Sequence, residues 1–263
     1  LANFGRHRAV RDAVGRPVVA PIRARQPQLA RKYLNPLHLA IGLKSDERAA
    51  VMIHHYDFLA TRFPPVALGT IFAQGMCVCT RETVVGQHRV DLIFSHPTDN
   101  EGELTLNYTL DGVLLSICSF TFAPGSLVAA QDETIIAVTL IEGVRANLDS
   151  LKGAMRTLCG VSPAMIFGAV LAGIAGRFGI STLAGVAASA HPARDATNEA
   201  AFAQVYDLYF ENIGGVQATS IFYRIGLPRL EKPLAEVKRN RARTRAQREI
   251  RAGIAVSAGA ACT

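Results

Sequence analysis

The run Glu142-Gly143-Val144-Arg145-Ala146-Asn147 sets a cation and an amide beside a glycine, between an apolar stretch and a helical one. Backbone N–H groups at such a helix start hold an anion, and an arginine adds a planar fork of donors. Glu142, Gly143, Arg145 and Asn147 are therefore candidates for gripping a phosphate or carboxylate, with Lys152 as a second positive charge. An ordinary turn with surface charges is the competing reading. His191 follows an apolar run and precedes Pro192. An imidazole there suits a general base, if a substrate proton lies within one water of it. A satisfied loop histidine is the competing reading. His55 is a further candidate contact for substrate, although its spacing with Val51 and Phe58 puts it on an apolar helix face, where core packing competes.

Other chemistries lack their residues. His54 and His55 are adjacent and face different sides of a helix, and no His-x-x-His, Glu-x-x-His or Cys-x-x-Cys spacing occurs, so no metal is expected. No Gly-x-Ser-x-Gly, Gly-x-Gly-x-x-Gly or P-loop element occurs. The five cysteines are scattered, and free buried thiols are expected, with Cys77 and Cys79 on one side of a strand. His88 and His96 are isolated and expected in surface or loop positions.

The 263 residues are 49% hydrophobic, enough for a core without metal or disulfide support. The net charge of +7 is local: residues 229–251 hold nine basic and three acidic side chains. Lys238, Arg241, Arg245 and Arg248 recur at three and four residues, a stripe on one helix face that Arg239 and Arg243 widen. Such a stripe suits RNA, anionic lipid, an acidic carrier protein or cofactor phosphates, against the alternative of a solvated face. No stretch is long enough to span a bilayer, the first 31 residues lack a signal-like apolar run, and a cytoplasmic location is expected.

These residues need elements to carry them. Ser45 begins a helix over Arg48 to Leu59 that Pro64 and Pro65 end. Strands are expected over 70–80 and 82–94. Leu104 to Leu110 alternates with period two, and Asp111-Gly112 turns it into a hairpin with 113–122. A further strand spans 134–144. Helices follow over 151–158 and, from Ser162-Pro163, over 164–178 to Gly179. A strand over 180–188, a helix from Thr197 or Asn198 to Asn212, a strand over 221–225 and a long basic helix after Pro233 complete the order. The fold class is α+β: a mixed, mostly antiparallel sheet flanked by helices. The segments are an N-terminal helical region (1–65), a mixed-sheet core (66–228) and a basic C-terminal helix and tail (229–263).

Several segments together resemble the VirK/YbjX family of bacterial proteins. They are His55-Tyr56-Asp57-Phe58-Leu59, Gly102-Glu103-Leu104 with Tyr108, Ser119-Phe120-Thr121-Phe122, and the strand before Glu142-Gly143. Ala187 to Pro192 with His191 is similar to the family's Val-Ser-Asn-x-x-His segment. Tyr206-Asp207 to Gly214-Gly215 and the basic tail complete the likeness, over roughly residues 30 to 250. The family usually has Gln where this chain has Glu142, and Ser-Asn where it has Ala188-Ser189. The resemblance carries no established chemistry with it.

The element order from Leu104 to Ile225 also resembles the acetyltransferase-like (GNAT) fold. Tyr206 to Phe210 followed by Ile213-Gly214-Gly215 is similar to that fold's Leu-Tyr-x-x-x-Gly-Phe helix end. This likeness implies that Tyr206 or Tyr209 protonates a leaving thiolate, with Asp207 and Glu211 orienting the groups. Residues 142–147 depart from that fold's phosphate loop, Arg/Gln-x-x-Gly-x-Gly/Ala. The expected function is acyl transfer from a thioester to a small amine or hydroxyl acceptor. Nothing is tightly bound, and coenzyme A or a phosphopantetheine thioester serves as co-substrate. Two alternatives stand beside it: a non-catalytic protein that binds nucleic acid or anionic membrane through its tail, and a biosynthetic enzyme for a small anionic metabolite without a thioester.

Overall fold

The computed structural model describes residues 2–131, 133–194 and 199–263. It is α+β. Four helices come first: α1 (Ala2–Val14), α2 (Ala20–Arg25), α3 (Ser45–Arg62) and α4 (Pro65–Ala73). Strands β1 (Met76–Thr83), β2 (Gly86–Phe94), β3 (Leu104–Leu110), β4 (Val113–Pro124) and β5 (Thr134–Gly143) then form an antiparallel meander. Helices α5 (Leu148–Thr157) and α6 (Pro163–Phe178) lead to β6 (Thr182–Val186), which pairs parallel with β5. Helical residues 199–212 include α7 (Glu199–Phe202) and α8 (Leu208–Asn212), with one π-helical turn over Ala203–Asp207 between them. Strands β7 (Val216–Gln217) and β8 (Phe222–Gly226) and helix α9 (Arg241–Ala261) finish the chain. The sheet order is β1-β2-β3-β4-β5-β6-β8-β7.

Side-chain alternation builds two cores. Ile136 and Val138 of β5 face the larger one, with Phe120 and Phe122 of β4, Phe58 of α3, and Phe167 and Phe178 of α6. Ile135 and Ala137 face a smaller cluster with Leu39, Val51, Val186 and Phe222. Residues of the 1–65, 66–228 and 229–263 segments all enter the larger core. Ile250, Ile254 and Ala258 of α9 and Cys262 at its C-terminal cap are buried at intervals of four, which docks one face of the helix on α6. The contact is close: a Cβ at Gly173 would lie 2.1 Å from the Ala255 carbonyl oxygen.

The turn at Asp111-Gly112 has φ of 48° and 79°, the positive pair that a two-residue hairpin needs. Ser162 caps α6 on Met165 N–H and Gly179 ends it at φ 70°. Other expectations shift. Ser45 is inside α3, and Glu47 instead reaches back to the Lys44 N–H at 2.7 Å. Residues 70–73 are helical, because Pro65 starts a new helix as well as ending the old one. A register shift between Cys77 and Cys79 breaks the alternation that would put both on one side. His88 is buried on β2, bonded to Tyr108 Oη at 2.7 Å and Thr83 Oγ1 at 3.0 Å, so it is neither surface nor loop. The basic helix begins only at Arg241, leaving Lys238 and Arg239 before it. Thr197 and Asn198 lie outside the described residues. Among the described residues, no helix is long and apolar enough to cross a membrane.

Candidate functional site

Strands β5 and β6 pair at only three positions, Ile136 to Val138 against Leu183 to Gly185. Beyond them β5 continues to Gly143, while the chain after Val186 bends into a 3-10 turn at Ala188–Ala190. A bulge at Thr139 in β5 marks the divergence: Phe120 pairs with Val138, but Ser119 pairs with Leu140. His191 and Tyr206 meet at this split, with ring centroids 4.6 Å apart. The Tyr206 hydroxyl bridges the Ile141 backbone, donating to its carbonyl and accepting from its N–H, both at 3.4 Å. The π-helical turn carries Tyr206, and such turns often occur at functional sites.

Both groups are buried. Burial pushes the His191 pKa down to about 4, so the ring is neutral at pH 7. Its Nδ1 accepts the Ala193 N–H at 3.1 Å. That bond assigns the proton to Nε2, which leans toward the Thr139 carbonyl without full hydrogen-bond geometry. As arranged, His191 is a donor, and the expected base role would first require Ala193 to let go of Nδ1. Burial raises the Tyr206 pKa, and the carboxylates of Glu142 and Glu101 add to the shift. Its phenol holds its proton at any ordinary pH.

The other candidates divide. Asp207 accepts the Ala188 N–H at 2.8 Å and fixes the turn before His191. Glu211 accepts from the Tyr223 hydroxyl at 3.4 Å. Tyr209 donates to the Ala164 carbonyl of α6 at 3.0 Å and lines a small cavity with Val138 and Ile141 of β5 and Leu183 and Ala184 of β6. The 142–147 loop is bound to β4 by Val144 N–H to Leu115 O at 2.9 Å and Asn147 Nδ2 to Leu114 O at 2.8 Å. Asn147 is thereby structural. Gly143 ends β5 beside exposed Glu142. Lys152 pairs with Asp149 at 3.1 Å. Arg145 is exposed and has no ion pair among the described residues.

The tail stripe is partly occupied. Arg248 and Arg251 bind Glu231 at 2.5 and 2.7 Å. Arg243 Nε donates to the Cys159 carbonyl at 2.8 Å, and Arg241 donates to the Ala235 carbonyl at 3.1 Å. Lys238, Arg239 and Arg245 are exposed.

A second buried polar cluster has no counterpart among the sequence candidates except His55. Glu103, just before β3, is fully buried. Its carboxylate meets Lys32 Nζ at 3.1 Å, His38 Nε2 at 3.5 Å and the hydroxyl of Tyr56. Burial alone would raise the Glu103 pKa, but Lys32, His38, His55 and Tyr56 outweigh it and hold it down to about 2. His55 accepts the Phe122 N–H at 3.2 Å, taking the place of a neighbouring strand's carbonyl where β3 has not yet begun. Burial lowers both His38 and His55 to about 3. The Gly102-Glu103-Leu104 motif hinted at this place, while Lys32 and His38 sit in no recognisable pattern. Among the described residues, no group of three or more His, Cys, Asp or Glu is arranged to hold a metal ion.

Comparison with known proteins identifies a family. Neither curated proteins nor solved structures match the chain. A family described as a protein of unknown function, DUF535, matches residues 3–249. That is the VirK/YbjX family, and the chain belongs to it.

Proposed function

We propose that the chain is an acyltransferase, moving an acyl group from a thioester donor to a small amine or hydroxyl. The observation that carries this is the split between β5 and β6, where an open backbone edge, His191 and Tyr206 converge. The connection order supports it: β5, two helices, parallel β6, a helix, then β7 and β8 with β8 inside, the order expected of a GNAT-like core. An extended phosphopantetheine arm would pair with the Ile141 backbone once Tyr206 gives up its two long bonds there. Exposed Arg145 would hold a donor phosphate.

Attack by the acceptor forms the new C–N or C–O bond and a tetrahedral oxyanion. The His191 Nε2–H stabilises that oxyanion. Collapse breaks the C–S bond, and the Tyr206 hydroxyl donates a hydrogen bond to the departing thiolate. The acceptor's proton leaves to Glu142 and from there to solvent, which protonates the thiolate. A tail that captures nucleic acid has less support, because Arg248 and Arg251 are already paired with Glu231.

The test is thiol release from acetyl- and longer acyl-coenzyme A with a panel of amines and alcohols, with products weighed by mass spectrometry. Acceptor-dependent release is expected, falling about 100-fold in Tyr206→Phe. A folded wild-type chain that neither binds coenzyme A nor releases thiol rejects the proposal.

A further inference from the structure

A pocket of about 240 Å3 opens between the α2–α3 connection and the loop before β3, away from the β5/β6 split. Arg25, Arg31 and Lys32 and the amides of Gln26, Gln28, Asn35 and Asn100 line it, with Pro27, Leu29 and Pro97 as apolar flanks, and no carboxylate lines it.

The hydrogen bonds within this wall leave it rich in donors. Asn35 Nδ2 donates to Asn100 Oδ1 at 2.7 Å, and Asn35 Oδ1 accepts the Leu37 N–H at 3.0 Å. The oxygens of Asn35 and Asn100 each accept one bond. Asn100 Nδ2 keeps two N–H donors and Asn35 Nδ2 keeps one, without partners among the described residues. Lys32 Nζ donates to the Gly102 carbonyl at 3.1 Å and forms an ion pair with Glu103 at 3.1 Å that lacks hydrogen-bond geometry, so its ammonium keeps donors to spare. Its side chain is 8% exposed and is held in place from behind by this pair. Arg31 is exposed and has no ion pair among the described residues.

We infer that this pocket is a binding site for a small oxyanion, the carboxylate or phosphate group of a metabolite with a short apolar body. The remaining Lys32 donors and the amide N–H groups bind the anion, Arg31 adds charge from the rim, and the prolines flank the body. The Glu103 contact fixes the ammonium before the ligand arrives, which removes the cost of ordering a long side chain. The site stands whether or not acyl transfer occurs at the β5/β6 split.

The experiment is a 1H–15N titration of the full chain with sodium propionate and, separately, inorganic phosphate, at constant ionic strength set with chloride. Saturable shifts of the Asn35 and Asn100 side-chain amides are expected with at least one anion, and the anion that gives them identifies the ligand group. Affinity should fall about threefold in Arg31→Gln and about tenfold in Asn100→Leu. Arg31 makes no internal bond, so its variant reports binding even if Asn100→Leu folds poorly. Shifts that fail to saturate with both anions, or an affinity unchanged in Arg31→Gln and in folded Asn100→Leu, would overturn the inference.

Discussion

The Glu103 cluster and the His191–Tyr206 pair are equally buried but held together by opposite means. Around Glu103, a full charge pair, two neutral imidazoles and a phenol join the N-terminal segment to the start of β3. At the β5/β6 split, two neutral rings meet, and Tyr206 touches the open strand only through bonds of 3.4 Å. Removing one partner from the first cluster strands a buried charge, whereas opening the second costs two weak bonds. Burial alone does not separate a structural cluster from a reactive one. The strength of the bonds that must break does.

Acid gives the largest expected effect. His38, His55 and His191 are neutral in the fold, with pKa values of about 3, 3 and 4 against 6.5 when unfolded. Between those limits the unfolded chain binds more protons, so stability is intact above pH 6.5 and is lost as pH falls. Each histidine contributes about 1.4 kcal/mol per pH unit, about 4 kcal/mol for three. Glu103 acts in the same direction, from its ordinary 4.5 down to about 2. A domain with about 5–15 kcal/mol of stability therefore unfolds within a few units. Urea unfolding at successive pH values checks this. His54 and His88, also lowered by burial, add to the slope; His191→Asn should reduce it by about 1.4 kcal/mol per pH unit, and His38→Asn with His55→Asn by about twice that. A flat profile between pH 6.5 and 5 would contradict the assignment.

Next comes Glu103→Leu, which leaves the Lys32 ammonium unpaired and should cost about 3–5 kcal/mol. Adding Lys32→Met removes the stranded charge and should restore most of it. If the single and double variants lose equal stability, the pair is not what holds this region.

Legibility followed the same divide. The Leu104–Leu110 alternation, the Asp111-Gly112 turn and the Ser162 and Gly179 caps are local signals, and they located β3, β4 and α6. His191 was a candidate because it follows an apolar strand, and Tyr206 through the likeness to a GNAT-like helix end, and the fold brings them together. The Glu103 cluster draws on residues 32, 38, 55, 56 and 103, and no local period links them. The tail shows a related limit. Charge spacing shows a stripe but not the Glu231 carboxylate that binds it. The helical character of residues 65–73 was hidden because apolar Val, Leu and Ile also suit a strand.

Tyr206→Phe keeps the ring and loses only the hydroxyl. Its stability should change by less than about 1 kcal/mol, since bonds of 3.4 Å are at the long limit. The contrast with Glu103→Leu in the same urea assay sharpens the comparison. A loss as large as that of Glu103→Leu would mean that the split is as firmly closed as the charge cluster.

Arg145→Ala should be the quietest change in stability and separates a structural role from a binding one. The side chain is exposed and unpaired, so the melting free energy should stay within about 0.5 kcal/mol. If Arg145 holds a donor phosphate, the loss of one charge-assisted contact weakens coenzyme A binding by about tenfold. Arg145→Lys keeps the charge but not the planar fork, and should fall between wild type and alanine. Calorimetric titration of coenzyme A into the three proteins, with melting curves alongside, decides it. Equal affinity in all three removes Arg145 from the site, and an affinity loss that tracks a fall in stability assigns it to the scaffold.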